Sequence, residues 1–533
     1  MKKHINFSFL LLFFLCLIFI SCSKNDKYKN SIPKNSSIVV IVDLKSLIEK
    51  AGTKDFNKTN LYNFLLNSIP PNNEKKSLFE KIIREPELTG IDFEKDAFYF
   101  RIDDKEMDCF LIKLKSYSKF QTMLQDLLKD KMPNIEETDD YYYIQPSKKD
   151  IIGWDYEKVI VIHTDQLLYK DSIKNYLSEY MKSDMNNSIF NDNDFAEYYK
   201  NKKDINLWLA LDGISNKKDY NESKFDSVLS SDLMKGSKFY ANLDFTNGEI
   251  KLTGRTIIGE KLSQKFDFNN LLKDGLSDNI MKMAPPKALA YISYALDLKK
   301  FLEFMSNLIG ENILDMPLNE NYKVNALTNI FSGEFLICLN DFSRKITSVE
   351  NSFFGSFDAQ PYYDTTFVPV ISIYASIKDT NEFSNILKSL QLPFVFTGNY
   401  YELETGKNDR IYIGFKNKVM IFAFNKEIIE RSFVAQPKLD AFMQHTYANT
   451  FMNNTTALYI NLDYNQFSEG TREFLKNVTG DFSSIIPYIE FYDSFIYYAT
   501  KDNKFSAVIK MKDSSQNSLY KIFHNLDKNI KLN

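Results

Sequence analysis

CFLIKLKSYSKFQTMLQDLL, residues 109–128, changes its hydrophobic period partway along. CFLIKL reads as a strand. From Phe120 the apolar side chains recur at Phe120, Met123, Leu124 and Leu127, the spacing of one helix face. VPVISIYASIKDTNEFSNILKSL, residues 368–390, makes the same change, with Phe383, Ile386, Leu387 and Leu390 on the helical face. At each junction stands a capping box, Ser118 three residues before Gln121 and Asp379 three before Glu382. There a side-chain oxygen accepts from an orphan helix N–H and the later side chain returns the bond. Asp463 and Gln466 have the same spacing.

Working outward from these two stretches, the same order of pieces appears twice. The strand signal at 37–43 corresponds to 288–297, and DAFYFRI (96–102) to GEFLICL (333–339). YYYIQP with IIGWDYEKVIVI (141–146, 151–162) matches YYELET with IYIGFKNKVMIFA (400–405, 411–423). INLWLALD (205–212) matches ALYINLD (457–463), and 239–255 matches 495–511. Asn247-Gly248 between two alternating runs is a strong hairpin signal. The chain is therefore expected to be α+β. It should form two tandem, internally duplicated lobes, 35–262 and 285–533, joined by a linker at 263–284. Each lobe should be a mainly antiparallel sheet with capped helices on one face.

The N-terminus reads as an export signal. Lys2, Lys3 and His4 are basic, Phe9 to Ile20 is an apolar run too short to span a bilayer, and Ser21-Cys22 follows. This resembles a lipobox, with Phe19 where that pattern prefers Leu. The resemblance implies removal of residues 1–21 and acylation of Cys22, a hold on the membrane of roughly 0.8 kcal/mol per buried CH₂. Residues 22–34 are expected to form a lipidated tether. SKNDKYKNSIPK is polar and aperiodic, and twelve such residues reach roughly 20 Å.

The chain as a whole is globular in balance, 44% apolar and 26% charged, so disorder and low complexity are excluded. Forty-five Phe and 32 Tyr against 2 Trp favour strands. A formal net charge of −4, with both signs interspersed, offers no basic stripe for nucleic acid. Of four cysteines, Cys16 leaves with the signal and Cys22 is acylated. Cys109 and Cys338 lie in apolar runs that read as buried thiols, with a disulfide between them as the alternative.

The signal with Cys22, then Ile32-Pro33-Lys34-Asn35-Ser36-Ser37-Ile38-Val39-Val40 running into Val42-Asp43-Leu44-Lys45-Ser46-Leu47, resembles the opening of a family of Bacteroidota lipoproteins known as the domain of unknown function 4836 family. The resemblance implies location and architecture, and nothing about chemistry. Surface-exposed lipoproteins of that group often carry several acids after the cysteine. Here Asp26 stands alone among lysines, which points to the periplasmic face of the outer membrane.

Candidate chemistry is thin. His163, His445 and His524 stand alone, without a second ligand at metal spacing. Asp103, Asp104, Glu106 and Asp108 could bind a cation or act as paired acids, but they fall between two strands, where charged turn residues belong. Asn191-Asp192-Asn193-Asp194 lacks the glycine and closing Glu of a calcium loop. Asp43, Asp297 and Asp463 recur at strand ends, where helix capping explains them. Thr405-Gly406-Lys407 has only the end of a phosphate loop. The tyrosine runs at 141–143, 362–363, 400–401 and 497–498 suit strand packing or, alternatively, sugar stacking. Ser172, Ser227 and Thr365 fit a short pattern for O-glycosylation in periplasmic proteins of the same bacteria. No catalytic, cofactor or metal residue is expected. The expected partners are the membrane, through Cys22, and an envelope protein or glycan. The expected role is a non-enzymatic scaffold or binding module. A glycan- or peptide-binding surface protein and a hydrolase of scattered carboxylates are the rivals.

Overall fold

The computed structural model describes residues 27–530, apart from 53–57, 68–74, 130–132, 166–171, 212–230, 266–267, 350–361, 407–408, 434–445 and 481–485. Cys22, Asp212, Ser227 and His445 therefore lie outside the described residues. The chain divides into two compact units, residues 1–262 with 513–533, and residues 263–512.

The first unit contributes β1 (Ile38–Asp43), β2 (Asp96–Ile102), β3 (Met107–Lys113), β4 (Glu136–Glu137), β5 (Tyr142–Ile144), β6 (Asp150–Trp154), β7 (Lys158–Thr164), β8 (Ile205–Ala210), β9 (Lys238–Thr246) and β10 (Glu249–Ile257). Their order across the sheet is β10-β9-β8-β1-β2-β3-β7-β6-β5-β4, antiparallel at every step. The second unit contributes β11 (Ala290–Ala295), β12 (Phe331–Val349), β13 (Tyr362–Ile377), β14 (Val395–Phe396), β15 (Tyr400–Gly406), β16 (Asp409–Lys416), β17 (Val419–Ala423), β18 (Thr456–Asn461), β19 (Tyr492–Ala499) and β20 (Lys504–Met511). Their order is β20-β19-β18-β11-β12-β13-β17-β16-β15-β14, again antiparallel throughout. Strand for strand, the two orders are the same.

Alternation along the strands builds the packing. In β2 the buried positions are Asp96, Phe98, Phe100 and Ile102, every second residue. Phe98, Phe100, Cys109 and Leu111 meet Leu177 and Tyr180 of the helix Ser172–Met181 and Phe195 of the helix Asn193–Lys200. From the other face, Ile112 and Val159 meet Phe120, Met123 and Leu124 of the helix Tyr117–Leu128. Helices thus lie on the expected face, and a second set lies on the opposite one. In the second unit Phe383, Ile386 and Leu387 of the helix Thr380–Ser389 pack against Ile377 and Ile413 in the same way. One glycine recurs at matching places. A Cβ on Gly153 of β6 would come within 2.7 Å of Leu177, and one on Gly414 of β16 within 2.6 Å of Phe433. Each glycine lets the helix that follows the next strand sit close to the sheet.

Several details differ from the sequence reading. The cap of the helix Tyr117–Leu128 is Ser116, whose side chain accepts from the Lys119 amide, so Ser118 falls inside the helix. With two serines in reach, the earlier one has the extended backbone that a cap needs. Asp43, Asp297 and Asp379 do cap helices, while Asp463 caps a single 3-10 turn and Ser468 caps the helix after it. The described part of the expected tether, residues 27–34, is folded. Tyr28 is 2% exposed and Ile32 fully buried, because their rings and branches complete the core of the first unit. The expected linker is folded too: Leu276, Ile280, Met281 and Met283 are core residues of the second unit. Both segments precede the first strand of their unit, and each packs as an opening helical element on its unit's core. Residues 513–533, expected in the second lobe, group with the first unit instead. There Leu519, on the helix Ser518–Asn529, joins Leu47, Ala51 and Phe245.

Candidate functional site

A dense group of charges in the first unit gathers where β1 ends and β2 begins. Antiparallel register sets Asp43 opposite Asp96. The connection after the helix Asn193–Lys200 brings Lys202 between them. Its ammonium donates to Asp96 at 2.8 Å and also to Asp43, and the Tyr199 hydroxyl donates to the other Asp96 oxygen. Burial raises the Asp96 carboxyl above its ordinary value, with Lys202 and Tyr199 pulling it back. Burial alone would lower Lys202, but the two carboxylates prevail and hold it above the usual lysine range.

Two residues on, Asp204 is 1% exposed and fully partnered. It accepts from Lys50 Nζ at 2.7 and 2.8 Å, from Ser46 Oγ at 2.6 Å and from the Phe245 amide at 2.6 Å. Lys50 also reaches Asp244 at 2.8 Å. Each acid here has its cation, an arrangement suited to locking strand ends rather than moving protons. The sequence signal for it was the lysine run Lys200-Asn201-Lys202-Lys203-Asp204 between a helix and a strand.

The N-terminal segment docks beside this network. The Tyr28 hydroxyl donates to the Asp96 carbonyl at 2.9 Å. Lys29 Nζ stands 4.7 Å from the centre of the Tyr199 ring and 5.1 Å from that of Phe190. Buried Lys158 donates to Ser31 Oγ and to the Met181 carbonyl, both at 2.7 Å, and burial lowers its pKa below the usual lysine range. Lys158 thereby ties the segment to the last residue of the helix Ser172–Met181.

The candidates read from sequence fall elsewhere and do not converge. Asp103 and Asp108 both bind Arg101, at 2.7 and 2.8 Å, around the turn Asp103–Lys105, and Glu106 closes that turn at φ 46°. Asp104 is exposed there. In the 191–194 run, Asp192 caps its helix and Lys238 sits at 3.0 Å from Asp192 and 2.7 Å from Asp194, where a cation would go. His163 pairs with Asp150 at 2.7 Å, and His524 lies flat beside Tyr520. Among the described residues no three His, Cys, Asp or Glu are grouped to hold a metal. Cys109 and Cys338 are free, buried thiols, raised by burial. Tyr143 and Tyr400 are buried in the sheets, and Tyr141 is buried just before β5. Thr405 bonds the Asp409 carbonyl across its hairpin. Ser172 opens its helix and Thr365 lies on β13, both half-buried. No described helix is long and apolar enough to cross a membrane.

Cavities among the described residues of the first unit include an apolar hole of about 40 Å³ beneath the helix Tyr117–Leu128, among Ile112, Phe120 and Val161. An open cleft of about 460 Å³ is lined by Glu49, Lys50, Gly52, Asn247, Gln516 and Tyr520, with Ser515 and Asn517 beside them.

A family model described as a domain of unknown function, DUF4836, matches residues 28–519. Nothing matches among curated proteins. Crystal form IV of TP0453 is similar at 12% identity and a TM-score of 0.26, with 44% of this chain and 81% of that one covered. Crystal form I of TP0453 is similar at 10% identity and a TM-score of 0.26, over 45% and 80%. Likeness at that level carries no structural argument. The family model opens at Tyr28, the first buried side chain among the described residues, and runs through both sheets. The chain belongs to the DUF4836 family.

Proposed function

We propose that the protein is an exported lipoprotein of Bacteroidota type, anchored through Cys22 at the periplasmic face of the outer membrane, whose body is a non-enzymatic scaffold or binding module. The observation that carries this reading is the N-terminal order: Lys2, Lys3 and His4, the apolar run Phe9 to Ile20, Ser21-Cys22, and then a fold whose first buried residue, among those described, is Tyr28. The paired state of the buried carboxylates Asp96 and Asp204 supports a structural body over a hydrolase. The experiment is Cys22→Ala in cells fed a clickable fatty acid. Wild type should take up label and remain with membranes, and the variant should do neither. Labelled, membrane-bound variant would refute the anchor.

A second reading is favoured by the open cleft. Glu49, Asn247 and Gln516 set a carboxylate and two carboxamides around the Tyr520 ring, groups that suit a glycan or an extended peptide. Binding of envelope glycans by the full chain, lost in Tyr520→Ala, would support it. Equal binding by both proteins would count against it.

A further inference from the structure

We propose that the outer edge of the second unit's sheet is where a second copy of this chain docks: β14 pairs antiparallel with the β14 of another molecule, Phe396 opposite Phe396 on a two-fold axis. Among the described residues β14 pairs only with β15, so its other side is an open strand edge. Val395 is 63% exposed and Phe396 58%, and Leu390 and Leu392 just before them are exposed as well. From Ser389 to Asn399 the sequence SLQLPFVFTGN carries no charge. Sheets ordinarily blunt such an edge with charged residues or cover it.

The first unit blunts the matching edge. There β4 holds the place of β14, and the turn that follows is the same in both units. Thr138 donates through its amide and its hydroxyl to the Tyr141 carbonyl, at 2.9 and 2.8 Å. Thr397 does the same to the Tyr400 carbonyl, at 3.0 and 3.1 Å. Counting back from these threonines, Glu137 corresponds to Phe396 and Glu136 to Val395. Both glutamates are exposed. The fold therefore accepts charge at these two positions, and packing within a unit does not demand Val395 and Phe396. The Phe396 ring rests on Tyr401 at 5.1 Å, with more than half of the residue left open.

Backbone and charge together select the occupant. Because the Thr397 amide bonds inward to Tyr400, alternation along the strand turns the Phe396 N–H and C=O outward. Lipid cannot satisfy those two groups, whereas another strand satisfies both. In a two-fold contact each residue at the axis meets itself. Glu137 would repel its own copy there, while Phe396 gains an aromatic partner. Charged residues around β14 include Glu402, opposite Val395 and held by Arg410 at 2.5 Å, with exposed Glu404 beyond it and exposed Lys388 on the preceding helix. None stands on β14 itself, so the edge is compatible with its own image and offers nothing to a peptide of fixed charge. Pairing uses up the edge on both molecules, and association stops at two. The contact is small, which places it among weak, reversible interfaces.

The test uses the full chain purified in mild detergent and followed by sedimentation velocity. Wild type should sediment as a dimer that dissociates on dilution through the micromolar range. Val395→Glu with Phe396→Glu, which gives β14 the residues of β4, should sediment as a monomer with an unchanged circular dichroism spectrum. Under mild oxidation Phe396→Cys should form an intermolecular disulfide several-fold faster than Glu137→Cys. Pairing centred on Phe396 sets the two Cα atoms about 5.5 Å apart, within the span of a disulfide. Cys109 and Cys338 are buried and take no part. A wild type that stays monomeric throughout the micromolar range overturns the proposal. A dimer that survives both glutamates overturns it too, by placing the contact elsewhere, and so does equal oxidation of the two cysteine variants.

Discussion

The Tyr28 hydroxyl and the Asp96 main-chain carbonyl, 68 residues apart in sequence, are joined at 2.9 Å. That bond, with the burial of Tyr28 and Ile32, makes the N-terminal segment part of the first unit's core. Tyr28→Ala should therefore cost about 3–5 kcal/mol and Ile32→Ala about 2–5 kcal/mol in urea denaturation of that unit. A free tether would give no change. Losses below half a unit for both substitutions would return the segment to that role.

Lys202→Met should destabilise the first unit by about 3–5 kcal/mol, because Asp43 and Asp96 lose their shared cation while Asp96 stays buried. Adding Asp96→Asn should recover part of that loss, and a failure to recover any would deny the coupling. The sign of the pH effect follows from Lys202 being held above the lysine range. Its contribution is whole below the unfolded value of about 10.4 and fades as pH rises beyond it. Wild type and Lys202→Met should converge in stability in strong alkali.

Asp192 behaves in the opposite sense. Burial would raise it, but Lys238 and the amides of Asp194 and Phe195 hold it below the usual carboxylate range. Its contribution is present above about pH 3.9 and lost as pH falls below that. Asp192→Asn keeps a capping oxygen and loses the charge, so it should cost about 1 kcal/mol at neutral pH. Thermal melts at pH 3 and pH 7 check this, the gap closing at the lower value.

Gly248→Ala tests the hairpin that receives residues 513–517. Gly248 has φ 69°, and a Cβ there would meet Ser514 Cα at 2.5 Å. The Gly248 amide donates to the Gln516 carbonyl at 3.0 Å. The substitution should cost about 1–3 kcal/mol, and hydrogen exchange at residues 514–520 should rise with it. Unchanged exchange would mean that the contact is incidental.

Much of this fold was legible because strands and helices differ in period. The change at Phe120 and at Phe383 marks a real strand-to-helix passage in each unit. Asn247-Gly248 is the turn its residues dictate. What escaped depends on tertiary partners. Tyr28 and Ile32 sit in a polar stretch without a period, and only the cavity they fill makes them core. Ile280 and Met281 were lost in the same way, in a helix of six residues. The charge network was invisible because Asp43, Asp96, Lys202 and Asp204 come from three separated segments. Asp43 could be read as a cap, and it is one, but its second bond to Lys202 needs 159 residues of chain to return.

The return of residues 513–533 to the first unit has a consequence for how the molecule is made. Leu519 closes a seam over Leu47, Ala51 and Phe245, yet it is synthesised only after all of residues 263–512. An exported chain emerges from the translocation channel N-terminus first, so the first unit waits for all of residues 263–512 with that apolar seam open. The second unit can finish while the first cannot, so the order of birth and the order of completion are reversed. Folding helpers that meet this chain should find their binding surface on the older half.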